Sequence, residues 1–116
     1  MTVKIYHNPC CSKSRATLAL LNEAGIEPEI IEYMKVPLEK GVLHDVIVAT
    51  GYSVSEILRT GEDEYKRLNL GGKCHDDSAL LDAIIAHPIL LNRPIVVTEK
   101  GARLCRPPEL VHEILP

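Results

Sequence analysis

TVKIYHNPCCSKSRATLALLNEAGIEPEIIEY, residues 2–33, changes its periodicity twice, and those two changes decide the fold. Val3 to Tyr6 alternates and carries β-branched residues, which predicts a strand. Past Pro9 the spacing becomes helical: Ala16, Leu18, Leu20, Leu21 and Ala24 fall on overlapping faces, and Gly25 stops the run. This helix is expected to begin near Ser12. PEIIEY, residues 28–33, reads as a second strand with Pro28 at its entry. Strand, helix and strand within about 30 residues make a unit of βαβ size.

Outward from that unit the pattern differs. LEKGVLHDVIVATG (38–51), SVSEILRTG (53–61), EDEYKRLNLGG (62–72) and DDSALLDAIIAH (76–87) each read as a short helix closed by Gly or by a His-Pro step. RPIVVTEKGARLCRPPELVHEIL (93–115) then gives a strand at Ile95 to Thr98, a turn at Glu99 to Gly101 and a strand at Ala102 to Cys105. A terminal helix started by Pro107 and Pro108 comes last. The order βαβ, helices, ββα predicts an α/β sandwich on a small mixed sheet, with no repeat, linker or domain boundary.

A chain of 116 residues can bury a sufficient core without metal or disulfide staples, so its four cysteines are not needed as struts. With no Trp or Phe, that core falls to Leu, Ile, Val and Ala. MTVKIYHNP lacks the apolar region of a signal peptide, and no segment approaches the ~20 apolar residues of a membrane span. The expected setting is therefore cytoplasmic, with no membrane partner and with reduced thiols. The net charge of −3, with Lys and Arg scattered along the chain, argues against a nucleic-acid partner.

The candidate chemistry lies in YHNPCCSKSR, residues 6–15. Unpaired N–H groups and the positive end of the dipole at a helix N-terminus stabilise a thiolate. Pro9 keeps Asn8 extended, which puts Cys11 at the cap position and points Cys10 elsewhere. The hydroxyls of Ser12 and Ser14 are candidate donors to the sulfur, and His7 is a candidate positive charge beside it. The plain alternative is that two small residues merely fill the turn; the strand-turn-helix setting favours a reactive Cys11.

Spacing removes several thiol chemistries. Three residues after Cys11 stands Ser14, and three after Cys10 stands Lys13, so no Cys-x-x-Cys dithiol exists. Cys10 reaches Arg15 across four residues, and five residues after Cys11 the next is Thr17, so a Cys-x5-Arg phosphatase loop fails. The adjacent Cys10 and Cys11, with distant Cys74 and His75, give no standard zinc spacing, and no metal is expected. An anionic substrate would need guanidinium groups, whose planar forks grip oxyanions. Arg93 and Arg106 each precede a proline and flank the strand pair, while Arg59 ends a short helix; Arg15, Arg67 and Arg103 read as surface charges.

YHNPxC, LR in the central helices, HPILLNRPIVV and LCRPPE together make the chain resemble the glutaredoxin-coupled arsenate reductases, the ArsC family, along nearly its whole length. The resemblance implies a thioredoxin-like fold, one domain over 1–116 with a helical insertion at about 37–90. It implies that Cys11 attacks arsenate, that Arg59, Arg93 and Arg106 hold the oxyanion and its adduct, and that His7 favours the thiolate. Ser14 is carried over as a substrate-binding residue, and Pro94 matches a proline that is commonly cis in this fold. The implied cycle forms a Cys11 thiol-arsenate adduct, which glutathione displaces; glutaredoxin then removes the glutathione and arsenite leaves. No bound cofactor is expected, and glutathione serves as a co-substrate.

The chain departs from many relatives in having Ser12, Lys13 and Ser14 where they carry Gly-Thr-Ser, and some relatives continue past the position of Pro116. A vicinal disulfide between Cys10 and Cys11 would be strained and would silence the enzyme. Cys105 is expected to be a half-buried strand residue and Cys74 to lie in a loop. Two alternatives stand beside the reductase: a Spx-like regulator that binds RNA polymerase, and a glutathione-dependent thiol protein without arsenate activity.

Overall fold

The first strand forms as β1 (Lys4–Tyr6) and is followed by α1 (Ser12–Glu23) and β2 (Glu29–Ile31), the expected βαβ unit. The structure, a computed structural model, describes residues 2–71 and 75–116. β3 (Ile95–Thr98) and β4 (Gly101–Leu104) complete one mixed sheet of order β2-β1-β3-β4. β1 runs parallel to β2, with Ile5 opposite Ile30, and antiparallel to β3, with Ile5 opposite Val96. Flanked on both sides, β1 buries Ile5 and Tyr6 alike. The arrangement is thioredoxin-like.

On one sheet face Val3, Ile5 and Val96 join Leu21 of α1 with Cys105, Val111 and Ile114 in one buried cluster. Each such aliphatic side chain, moved out of water, stabilises the fold by roughly 1.5–3 kcal/mol. Gly25, at φ 79°, takes the left-handed conformation that ends α1 without a Cβ penalty. Ile26 N–H then bonds back to Leu21 C=O, which turns the chain toward β2. The start of α1 is tied to the segment that leaves β1 by Ser14 Oγ, which meets His7 Nδ1 and Asn8 N–H.

The chain divides into two compact units, Met1–Val36 with Arg93–Pro116, and Pro37–Asn92. The second contains α2 (Lys40–Thr50), α3 (Asp63–Arg67) and α4 (Asp77–Ala86), with a short 3-10 turn at Pro88–Leu90. Within it α2 packs on α4, and Lys40 Nζ reaches Ser78 Oγ at 2.6 Å and Asp82 Oδ1 at 3.0 Å.

Two expectations are corrected. SVSEILRTG is not a helix. Ser53 and Glu56 form a reciprocal box, with Ser53 N–H to Glu56 Oε1 at 2.9 Å and Glu56 N–H to Ser53 Oγ at 3.2 Å, which starts a single turn. Leu58 then pairs with Leu91 in an antiparallel bridge, and long-range pairing overrides the local helical signal, so Arg59 comes after a bridge and not a helix. The His-Pro step closes α4 as expected, with His87 as its C-cap, and Pro88 opens the 3-10 turn that follows. The terminal segment, Pro108–Ile114, is a 3-10 helix. In that geometry residues three apart eclipse, which lets Val111 and Ile114 both enter the core. Cys74 lies outside the described residues.

Candidate active site

Cys11 is the N-cap of α1, extended at φ −99° and ψ 124°, and its C=O accepts the first helical bond from Arg15 N–H at 3.0 Å. The turn before it is organised by Asn8, which is buried. Asn8 C=O accepts from Cys11 N–H at 3.0 Å, and Asn8 Oδ1 accepts from Cys10 N–H, also at 3.0 Å. Pro9 has no N–H to offer. The N–H groups of Cys10 and Cys11 are thus used inside the loop, and those of Lys13 and Ser14 remain to face the Cys11 sulfur.

Two opposed effects act on that sulfur. Partial burial pushes the Cys11 pKa up, because a thiolate loses solvation. Hydrogen bonds from the Ser14 and Lys13 N–H groups, with the hydrogen bond and charge of Arg93, pull it down, and together they win: the pKa lies below the ordinary value. Arg93 is only 8% exposed, so its charge is weakly screened. Arg106 Nη1 lies 4.0 Å from Cys11 Sγ and donates to Arg93 C=O at 2.9 Å, so one guanidinium holds the backbone of the other. Arg93-Pro94 and Arg106-Pro107 are both cis.

Two expected roles change. His7 is 6% exposed, and burial foremost, with Arg15 in support and Glu32 opposing, holds its pKa below the ordinary value of 6.5. At neutral pH the imidazole is uncharged, so it lends no cation to the thiolate. His7 Nδ1 instead sits 2.6 Å from Ser14 Oγ, which also accepts from Asn8 N–H at 3.0 Å. Ser14 is fully buried, and its hydroxyl is committed to that network. Its contribution to the sulfur is its backbone N–H, not a hydroxyl offered to substrate. Two contributions went unassigned in the sequence, the Asn8 side chain and the Lys13 backbone N–H. An Asn before Pro ahead of a helix start was the available signal for the first, since Asx side chains bond their own backbone two residues on.

The structure gathers Cys11, Arg93 and Arg106 in the first unit, over the His7, Ser14 and Asn8 network. Arg59 belongs to the second unit, where its Nε donates to Glu62 Oε1 at 3.1 Å. Cys10 is exposed, whereas Cys105 is fully buried just after β4 and not half-buried within it. Burial raises the Cys105 pKa to about 12, which keeps it a protonated, inert thiol. Among the described residues no group of three or more His, Cys, Asp or Glu side chains is placed to hold a metal ion, and no helix is long and apolar enough to cross a membrane.

The profile of the ArsC family matches residues 6–114. The chain is 49% identical over 116 residues to an arsenate reductase of Rhizobium meliloti (strain 1021), covering 100% of this chain and 83% of that protein. It is 48% identical over 114 residues to the uncharacterized protein YfgD of Escherichia coli (strain K12), covering 97% and 96%. Its fold superimposes on an arsenate reductase from Vibrio cholerae with a TM-score of 0.95 at 47% identity, covering 99% and 98%.

Proposed function

The chain belongs to the ArsC family, and on that premise we propose that it reduces arsenate to arsenite. The observation that carries the reading is the sulfur of Cys11 at the N-terminus of α1, its pKa lowered by two backbone N–H groups and Arg93. Such a group is a nucleophile at neutral pH, and the guanidinium beside it suits an oxyanion. In this reading Cys11 attacks arsenate and an oxygen leaves as water, forming an S–As bond without redox change. Glutathione thiol displaces a second oxygen as water. A glutaredoxin thiolate then attacks the glutathione sulfur, the S–As electron pair stays on arsenic, and As(V) becomes As(III). Hydrolysis frees arsenite and the Cys11 thiol, while glutathione and glutaredoxin leave as a mixed disulfide.

Arg93 and Arg106 would hold the oxyanion in this cycle, and the family resemblance gives Arg59 an oxyanion-binding role as well. The absence of a Cys-x-x-Cys partner fits a cycle whose electrons come from external thiols. Neutral His7 and Ser14 act beneath the sulfur by fixing the loop that aims the N–H groups. In this reading the reaction runs in the cytoplasm, with glutathione and glutaredoxin as its reductants.

The test monitors NADPH consumption by the reduced protein with glutathione, glutathione reductase and glutaredoxin, with and without arsenate. Consumption that requires both arsenate and this protein is expected. An arsenate-independent trace would reject the assignment.

A further inference from the structure

We propose that Glu62 is a positioning residue for Arg59, an inference that rests on the oxyanion role proposed for Arg59. The backbone of Arg59 is already fixed: its N–H donates to Leu90 C=O at 2.8 Å, and Asn92 N–H donates to Ile57 C=O at 3.0 Å, on either side of the Leu58–Leu91 bridge. The side chain is then held at two points. Nε donates to Glu62 Oε1 at 3.1 Å, and Nη1 donates to Asn92 Oδ1 at 3.4 Å.

Glu62 stands at the N-cap of α3, yet its carboxylate makes no bond to that helix. Its carboxylate faces Arg59 instead. A guanidinium offers donors along its Nε side and along its Nη1/Nη2 end. With Nε on Glu62 and one Nη1 donor on Asn92 Oδ1, the other Nη1 donor and Nη2 are left to meet an anion, and the plane of the fork is set before the anion arrives. An unclamped arginine side chain would have to lose rotamer freedom on binding.

Glu62 has a second, opposing effect, since a carboxylate 3.1 Å from the guanidinium offsets part of its charge. Both side chains are 26% exposed, so this charge effect is damped by solvent but not abolished. The two effects separate by substitution. Glu62→Ala removes clamp and charge together, and loss of the clamp dominates because small displacements of a binding group weaken a site steeply. Glu62→Gln keeps an oxygen to accept from Nε and removes only the charge.

Two readouts on the full chain test this. In 15N-labelled protein the Arg59 Nε–H resonance, identified by its absence in Arg59→Lys, is expected to be protected from solvent exchange in the native protein and in Glu62→Gln, and lost in Glu62→Ala. In the coupled assay Glu62→Ala is expected to raise the KM for arsenate about five- to tenfold. Glu62→Gln is expected to leave it unchanged or lower it by up to about threefold. In an Arg59→Ala background Glu62→Ala should add nothing. A protected Nε–H in Glu62→Ala overturns the clamp, as does an unchanged KM in that variant while Arg59→Ala is impaired. Unaltered kinetics in Arg59→Ala itself would instead reject the oxyanion role of Arg59, and the inference with it.

Discussion

Cys11→Ser is expected to remove arsenate-dependent turnover, a fall of ~10³-fold or more, while Cys10→Ser keeps most of it. The two thiols are adjacent in sequence but differ in every physical respect that decides reactivity. Cys11 opens α1 under the N–H groups of Lys13 and Ser14 and beside Arg93, whereas Cys10 is exposed and its own N–H is tied to Asn8 Oδ1. A serine at position 11 would receive the same donors, yet its hydroxyl stays protonated at neutral pH, and the His7 imidazole is engaged with Ser14 Oγ. Rates from the coupled assay on the two variants decide the matter, and the opposite ranking would move the nucleophile to Cys10.

Arg93→Ala should produce the second-largest loss. Arg93 hydrogen-bonds and charge-stabilises the Cys11 sulfur from a buried position, so its removal takes away both a donor to the thiolate and a grip on the oxyanion. Truncating a buried partner of a charged group costs about 2–5 kcal/mol, equivalent to roughly 30- to 5,000-fold in kcat/KM. Arg93→Lys separates charge from fork: it is expected to recover part of the thiolate but not the bidentate hold on the anion. Arg106→Ala should lose less, since Arg106 lies 4.0 Å from the sulfur and gives one of its donors to the Arg93 carbonyl. Equal activity in Arg93→Ala and the native protein would place Arg93 outside the reaction.

The parts of the fold legible in the sequence are those in which local pattern and tertiary packing agree. β1, α1 and β3 were readable because their apolar periodicities match the surfaces they bury, and Gly25 ends α1 where the left-handed turn requires it. SVSEILRTG misled because its Ser53–Glu56 box does begin a turn; only the distant Leu91 draws Leu58 out of it and into a bridge. That partner lies 33 residues further on (91 − 58) and leaves no local trace. The switch to 3-10 geometry at Pro108–Ile114 is likewise set by the core that Val111 and Ile114 must both reach.

At the site, the position of Cys11 was legible from proline and helix-start rules, but the roles of its neighbours were not. His7 reads from sequence as a positive charge beside a thiol. Burial makes it neutral and gives it to Ser14, and burial of a single polar residue is not written in its neighbours. Cys105 shows the same limit in the other direction, since only its complete burial reveals how far it stands from redox chemistry.

The proposed chemistry depends on Cys11 being held ionised by the start of α1 and by Arg93 in spite of partial burial. The decisive quantity is the rate of iodoacetamide modification of the Cys11 peptide, read across pH by mass spectrometry in the reduced Cys10→Ser protein. Its midpoint is expected below the ~8.5 of free cysteine and should shift upward in Arg93→Ala. A midpoint at or above that of free cysteine would mean that burial outweighs the donors, and the thiolate would not be there to attack.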